Sequence, residues 1–176
     1  VGPRGIAATY IKTRLVPFGE YIPFRQQLGW LTKISKAAPA NMIPGSGAKV
    51  IQMTARSGQR IPIGVLICFE SAFPDMSRVD ARRGAQLIVY QTSDSTFQGS
   101  WAPAQHASLG ALRAAETGRP AVQAALTGVS AAYDARGRLL ASMSTTQRGL
   151  LTVRLGLEPS TALTPFDRYG DVVPWT

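Results

Sequence analysis

A nearly continuous apolar stretch is the feature that most narrows the folds open to this chain. Residues 61–69 read Ile-Pro-Ile-Gly-Val-Leu-Ile-Cys-Phe. This is about half the length that a bilayer crossing needs. A strand without polar alternation is typical of a strand buried on both faces, as in α/β proteins. Residues 86–91, Gln-Leu-Ile-Val-Tyr-Gln, predict a second such strand.

Turn signals divide the rest of the chain into short elements. The apolar stretch belongs to a strand predicted over 59–69, which is expected to form an antiparallel hairpin with residues 49–55, turning at Ser57-Gly58. We predict helices over 24–36, 74–84 and 103–117; the last two begin at or near proline and end at glycine. Further strands are predicted over 6–16, 121–126, 130–133, 138–142 and 149–154. Strands that alternate with helices favour a layered α/β fold.

Size and charge restrict the class of protein. The chain has 176 residues, of which 45% are hydrophobic, and this fits one globular domain. It carries 19 Lys and Arg against 10 Asp and Glu, for a net charge of +9. The basic residues are dispersed and not interleaved with aromatics, so we expect no nucleic-acid partner. Such dispersed charge fits either a surface near anionic lipid headgroups or ordinary solubility.

The inventory of cysteine and histidine limits the chemistry. Cys68 is the only cysteine and His106 the only histidine, which excludes an internal disulfide and a multi-cysteine zinc site. We expect no metal and no cofactor. A histidine-based triad is also hard to build, so nucleophilic chemistry would depend on carboxylates and lysine. We interpret His106 as a structural helix residue, Asp94 as a loop-orienting residue and Arg119 as a member of a buried pair.

Cys68 is the candidate nucleophile. A free cysteine usually acts as a small buried hydrophobe. Cys68, however, lies where the predicted buried strand ends before a helix, and such an elbow exposes its side chain near a helix N-terminus. Its base would be a carboxylate, and a lysine would stabilise the developing negative charge. The candidates are Lys12, on a predicted strand, and Glu20, in the rigid loop 17–23.

Two motifs connect these residues to a known family. Residues 10–23 read Tyr-Ile-Lys-Thr-Arg-Leu-Val-Pro-Phe-Gly-Glu-Tyr-Ile-Pro, and residues 67–70 read Ile-Cys-Phe-Glu. Together they resemble the apolipoprotein N-acyltransferase family, a membrane-embedded branch of the nitrilase, or carbon–nitrogen hydrolase, superfamily. The resemblance covers almost the whole chain, since it continues through residues 93–97, 105–120, 127–130 and 164–171.

The resemblance implies a fold and a site. The fold is an α/β four-layer α-β-β-α sandwich of the nitrilase type with a Glu-Lys-Cys triad. Cys68 corresponds to the nucleophile and Lys12 to the lysine that stabilises the tetrahedral oxyanion. Glu20 corresponds to a second essential glutamate. Phe69 and Glu70 correspond to the aromatic–Glu pair that follows the nucleophile.

The resemblance also implies the extent of the chain. Residues 1–176 would be the C-terminal portion of one carbon–nitrogen hydrolase domain, incomplete at its N-terminal side, with 158–176 as a tail leading toward a membrane helix. The family's general-base glutamate lies upstream of Lys12, and residues 1–11 contain no acidic residue. We therefore expect the 176-residue chain alone to be inactive. The parent protein would lie in the cell membrane, with this domain on the extracytoplasmic face.

The implied function is acyl transfer in lipoprotein maturation. A phospholipid would donate its acyl group to Cys68 as a thioester, and the N-terminal amine of a diacylglyceryl-cysteine lipoprotein would accept it at the membrane surface. One alternative is a soluble amidase of the same superfamily, which the Pro-Phe-Gly-Glu-Tyr loop disfavours. Another is a non-catalytic scaffold associated with a polyprenol-phosphate-mannose synthase, which the retention of Lys12, Glu20, Cys68 and Glu70 disfavours.

Overall fold

The strand order of the sheet follows the order of the strands along the chain. The computed structural model describes residues 5–6, 8–33, 40–97 and 99–172. They divide into an N-terminal unit, Val1–Gly47, and a sheet unit, Ala48–Thr176. The assignment of residues 1–176 to a single domain stays a prediction.

The sheet unit contains one mixed sheet of six strands. Its three central strands, β2, β3 and β4, are parallel, whereas β1, β5 and β6 are antiparallel to their neighbours. The carboxyl ends of the central strands therefore lie at one edge of the sheet. The strands are β1 (Val50–Thr54), β2 (Arg60–Ile67), β3 (Leu87–Thr92), β4 (Ala121–Ala125), β5 (Ser130–Tyr133) and β6 (Leu139–Met143).

The two long helices confirm the predictions made from proline and glycine. The helices are α1 (Arg25–Leu28), α2 (Pro74–Arg82), α3 (Ala102–Thr117) and α4 (Pro165–Tyr169). Pro74 opens α2, where its missing N–H and fixed φ cost nothing. Gly118 ends α3 with a φ of 59°, in the left-handed region that glycine adopts freely. Helices α2 and α3 contact each other and the strands, so both lie on the same face of the sheet.

The core lies between this face of the sheet and the two helices. Leu66 and Tyr90 are paired in register on neighbouring strands, and both are buried. The hydroxyl of Tyr90 is 2.9 Å from that of Ser77 on α2, which satisfies both buried oxygens. A Cβ at Gly64 would lie 2.6 Å from Asp80 Oδ2, so glycine is required for α2 to approach β2 this closely. The α/β class that the sequence predicts is confirmed.

Two predicted strands are wrong. The described residues of 6–16 form no strand: the carbonyl of Lys12 accepts a hydrogen bond from Gly45 N at 2.8 Å, but no ladder continues from it. Residues 149–154 belong to none of the strands that the described residues form, and Leu150 is 91% exposed. Alternation alone does not make a strand, because a strand needs a neighbour for its backbone groups.

The predicted helix over 24–36 is shorter and tighter than expected. Helix α1 covers one turn, and a 3₁₀ helix, Gly29–Lys33, continues it. Residues 34–36 lie outside the described residues. Gly29 in the middle of this segment disfavours a longer α-helix, because glycine loses more conformational freedom on folding than other residues.

Side-chain hydrogen bonds connect the backbone of residues 158–170 to the rest of the sheet unit. Gln86 Nε2 donates to the carbonyl of Glu158 at 2.9 Å. Buried Arg119 donates through Nη2 to the carbonyls of Ser160 and Ala162. Further along, Arg78 Nε donates to the carbonyl of Phe166, at the start of α4. Residues 173–176, where we expect a membrane helix to begin, lie outside the described residues. Within the part of the chain that is described, none of the helices is long and apolar enough to cross a membrane.

Candidate active site

Cys68 occupies a strained position directly after β2. Ile67 ends the strand in extended conformation, and Cys68 begins a 3₁₀ helix, Cys68–Ala72. The backbone of Cys68 has a φ of 51°, in the left-handed region that L-residues other than glycine rarely adopt. Such strain persists only where the surroundings impose it, and it is concentrated at functional sites. The side chain is half-buried.

Glu70 ties this elbow together. Its side chain is completely buried, and its Oε2 accepts a hydrogen bond from the backbone N–H of Ile67 at 2.7 Å. The carboxylate thereby links the last residue of the strand to the turn that follows the cysteine. Phe69 packs edge-on against Phe73, with ring centroids 5.0 Å apart, and this contact fixes the other side of the turn.

His106 reaches the elbow from α3. Its Nδ1 lies 2.9 Å from Asp94 Oδ1, and its Nε2 lies 3.1 Å from the carbonyl oxygen of Cys68. Asp94 follows β3 at the same sheet edge and also accepts a hydrogen bond from Thr92 Oγ1 at 3.1 Å. The interpretation of His106 as a structural helix residue fits this arrangement, but the sequence did not reveal that its partner is the backbone of Cys68.

One group of potential metal ligands occurs among the described residues. Cys68, Asp94 and His106 each offer one ligand atom, and these atoms lie within 4.8 Å of one another. Both ring nitrogens of His106 already have protein partners, however. We therefore interpret the group as a hydrogen-bond network around the cysteine.

The N-terminal unit brings Lys12 and Glu20 together. Lys12 Nζ lies 2.7 Å and 2.8 Å from the two carboxylate oxygens of Glu20. Glu20 Oε2 also accepts from the backbone N–H of Val16 at 2.8 Å. The side chains are only 10% and 22% exposed. The loop therefore holds the carboxylate in one direction, and the carboxylate holds the ammonium.

Comparison with known proteins identifies the family. The family model described as carbon–nitrogen hydrolase matches residues 3–163. The chain belongs to the carbon–nitrogen hydrolase family. Two curated relatives are named apolipoprotein N-acyltransferase. The protein of Chlorobaculum tepidum is 36% identical over 97% of this chain and 32% of its own length. That of Geobacter metallireducens is 39% identical over 93% of this chain and 30% of its own length. This carbon–nitrogen hydrolase chain thus spans about a third of the length of these relatives.

Solved structures support the fold. The NitN amidase of Nesterenkonia sp. AN1 superposes with a TM-score of 0.52 at 25% identity, over 79% of this chain and 48% of that chain. A carbon–nitrogen hydrolase from Helicobacter pylori G27 gives a TM-score of 0.51 at 18% identity, over 61% and 43% of the two chains. The nitrilase type of α/β fold is therefore shown for this carbon–nitrogen hydrolase.

The structure groups the predicted site residues in two sets. Cys68, Phe69 and Glu70 lie together at the carboxyl end of β2, in the sheet unit of this carbon–nitrogen hydrolase. Lys12 and Glu20 form an ion pair in the N-terminal unit. The first set supplies a thiol that its backbone presents at a sheet edge, and the second supplies an oriented cation. A thiol and a cation are each groups that enzymes use in nucleophilic acyl chemistry.

Proposed function

We propose that this domain belongs to an N-acyltransferase that acylates lipoproteins through a thioester on Cys68. The observation that carries the proposal is the left-handed backbone of Cys68 at the end of a buried strand, held by the buried carboxylate of Glu70. The names of the two curated relatives support lipoprotein N-acylation in particular. The retention of the Lys12–Glu20 pair supports a catalytic domain over a scaffold.

The first half-reaction would form the thioester. The sulfur of Cys68, after loss of its proton to a base, attacks the acyl ester carbonyl of a phospholipid. The C–S bond forms, the ester C–O bond breaks, and the lysophospholipid leaves as its alcohol after taking up a proton. Lys12 would donate hydrogen bonds to the tetrahedral oxyanion, which is the charge that such a cation stabilises best in a dry site.

The second half-reaction would transfer the acyl group to an amine. The N-terminal α-amine of a diacylglyceryl-cysteine lipoprotein attacks the thioester carbonyl and loses a proton. The amide C–N bond forms, the C–S bond breaks, and the sulfur of Cys68 is protonated again. Thioesters suit this role because amines attack them readily, whereas water does so only where it has access.

Glu20 would act through Lys12. Its two oxygens hold the ammonium, and the backbone N–H of Val16 holds one of those oxygens in turn. Long lysine side chains are otherwise mobile, so this arrangement lowers the entropy lost when the ammonium meets the oxyanion. We propose the general base to be a glutamate from a segment preceding Lys12.

We also propose a membrane location for the parent protein. Its substrates, a phospholipid and a lipoprotein with a diacylglyceryl anchor, both lie in a bilayer. The net charge of +9 would favour a position near anionic headgroups. We place the domain on the extracytoplasmic face, as the resemblance implies.

Intact-mass analysis tests the thioester directly. The full-length protein is incubated with phospholipid, and we expect a mass increase of one acyl group that neutral hydroxylamine removes. Cys68→Ala should lack the adduct. Ser108→Ala, on an exposed position of α3, is the matched control and should keep it. An adduct that persists in Cys68→Ala would contradict the assignment of the nucleophile.

Addition of an acceptor separates transfer from hydrolysis. The amidase function of a structural neighbour makes hydrolysis the second candidate. With a diacylglyceryl lipopeptide present, we expect an N-acylated lipopeptide in amounts equal to the lysophospholipid released. Free fatty acid without acylated lipopeptide would favour hydrolysis and contradict the proposed transfer.

A further inference from the structure

The backbone carbonyl of Cys68 is held by a side chain from a different element of the fold. His106 lies on α3, 38 positions further along the chain, and its Nε2 is 3.1 Å from this oxygen. A carbonyl oxygen only accepts hydrogen bonds, so Nε2 must carry the proton and donate. His106 is therefore either the neutral tautomer with its proton on Nε2 or the imidazolium, which carries a proton on both nitrogens.

Asp94 determines where the ring points. Its Oδ1 lies 2.9 Å from Nδ1, the ring nitrogen that does not contact the carbonyl of Cys68. Asp94 is itself fixed, because Oδ1 accepts from Thr92 Oγ1 and its backbone N–H donates to the carbonyl of Thr127 at 2.9 Å. The side chain of Asp94 is 4% exposed and that of His106 is 15% exposed, so little water competes for these bonds. A fixed chain of contacts therefore runs from the sheet edge to the backbone of Cys68.

The strained elbow needs such support on both sides. Glu70 holds the N–H of Ile67 before the cysteine, and His106 holds the carbonyl of Cys68 after it. Between these two bonds lies the φ of 51° at Cys68. A left-handed residue other than glycine returns to an ordinary conformation unless its surroundings oppose the change. A rotation of that peptide unit would move Sγ away from the direction in which the elbow presents it.

We propose that His106, oriented by Asp94, is a positioning residue that keeps the nucleophile Cys68 in its left-handed conformation. His106 acts through the backbone of Cys68 and not on the acyl substrate. The inference rests on the proposed function in taking Cys68 as the nucleophile. It assigns a positioning role to His106, the only histidine of the chain, and an orienting role to Asp94, which follows β3.

Alkylation of Cys68 by iodoacetamide is the first test, because it needs neither acyl donor nor acceptor. In the full-length protein, with any cysteine outside this chain replaced, His106→Leu removes the donor and should slow alkylation by about tenfold or more, since a misplacement near 1 Å costs up to about a hundredfold. His106→Gln keeps an N–H near the position of Nε2 and should recover most of the rate. His106→Asn, which is too short to reach the carbonyl, should remain slow.

Asp94 variants separate geometry from charge. Asp94→Asn can donate to Nδ1 of a neutral imidazole, which leaves Nε2–H on the carbonyl of Cys68. We therefore expect an alkylation rate close to wild type, and a slow rate for Asp94→Leu. A wild-type rate in His106→Leu would overturn the proposal. So would a rate in His106→Gln as slow as in His106→Asn, or a loss of rate in Asp94→Asn, which would mean that charge, not position, is what His106 supplies.

The acyl transfer assay gives the second readout. His106→Asn should lower the maximal rate of thioester formation and leave the phospholipid concentration at half-maximal rate unchanged, because His106 does not touch the lipid. A change in that concentration alone would contradict a positioning role. If the alkylation rates follow the expected order but wild-type protein forms no acyl adduct, the positioning role stands and the proposed function fails.

Discussion

A carboxyl group buried between α2 and β2 makes the stability of this domain dependent on pH. Asp80 is fully buried, and neither of its oxygens has a hydrogen-bond partner among the described residues. The pKa of Asp80 is raised from 3.8 to about 7: burial raises it most, the guanidinium of Arg83 lowers it, and the charge of Glu70 raises it. The cause is the cost of placing a charge where water does not reach it.

Whether stability rises or falls with pH depends on which state, folded or unfolded, binds the proton of Asp80 more tightly. Below pH 3.8 the carboxyl is protonated in both states, and Asp80 has no effect on stability. Between 3.8 and about 7 the unfolded chain loses the proton while the folded chain keeps it, so the free energy of unfolding falls as pH rises. Above about 7 both states are ionised and the loss is complete. The interval from 3.8 to about 7 corresponds to about 4 kcal/mol.

Asp80→Asn isolates this contribution. The amide has the same shape and does not ionise, so we expect the stability of the variant relative to wild type to increase by about 4 kcal/mol between pH 4 and pH 8. Urea unfolding of the two purified proteins across this range, followed by tryptophan fluorescence, measures the difference. Other titrating groups are common to both proteins and cancel. Parallel stability curves would refute the reasoning, because Asp80 would then be ionised equally in the folded and unfolded states.

Three further substitutions test contacts in both units. Glu20→Gln removes the charge that holds Lys12 and should lower acyl transfer by about 100- to 1,000-fold at an unchanged melting temperature; wild-type turnover would make Glu20 an ordinary surface charge. Gly110→Val places a Cβ about 3.1 Å from the ring of Tyr133 and should lower the free energy of unfolding by about 2 kcal/mol in urea, whereas an unchanged midpoint would mean that the ring moves freely. Thr164→Ala removes the side-chain cap of α4 and should cost about 1 kcal/mol in the same assay; equal stability would show that this cap is replaced by water.

The elements that the sequence predicts correctly are those with local signals. Helix α2 begins at Pro74 and α3 ends before Gly118, and both residues restrict the backbone by themselves. The hairpin of β1 and β2 follows from a short turn between two apolar segments. Residues 6–16 and 149–154 are also predicted as strands from local sequence, but whether such a segment becomes a strand depends on a neighbour that is distant in the sequence.

The candidate site was predictable only in part for the same reason. Cys68 and Glu70 follow a strand that the sequence marks clearly, and Lys12 and Glu20 are singled out by their motif. The ion pair between them depends on how the chain turns between residues 12 and 20, which the predicted strand over 6–16 and the loop 17–23 do not specify. The bond from His106 to Cys68 depends on the parallel register of β2 and β3, which aligns their carboxyl ends, and on how α3 packs over them.

The hydrogen bonds that Arg119 and Arg78 donate to the segment 158–170 bear on the order in which the domain folds. Arg119 and Ser160 are 41 residues apart, and Arg78 and Arg168 are 90 apart, so these bonds close long loops. Loops of this length form late, after the local pairs of the sheet and helices. Arg119 is 1% exposed, and a chain emerging from the ribosome would bury its guanidinium before the carbonyls of Ser160 and Ala162 arrive. A buried cation without acceptors opposes closure of the core. Completion of the domain therefore waits for synthesis past residue 162, and a product that stops earlier would remain open to proteases.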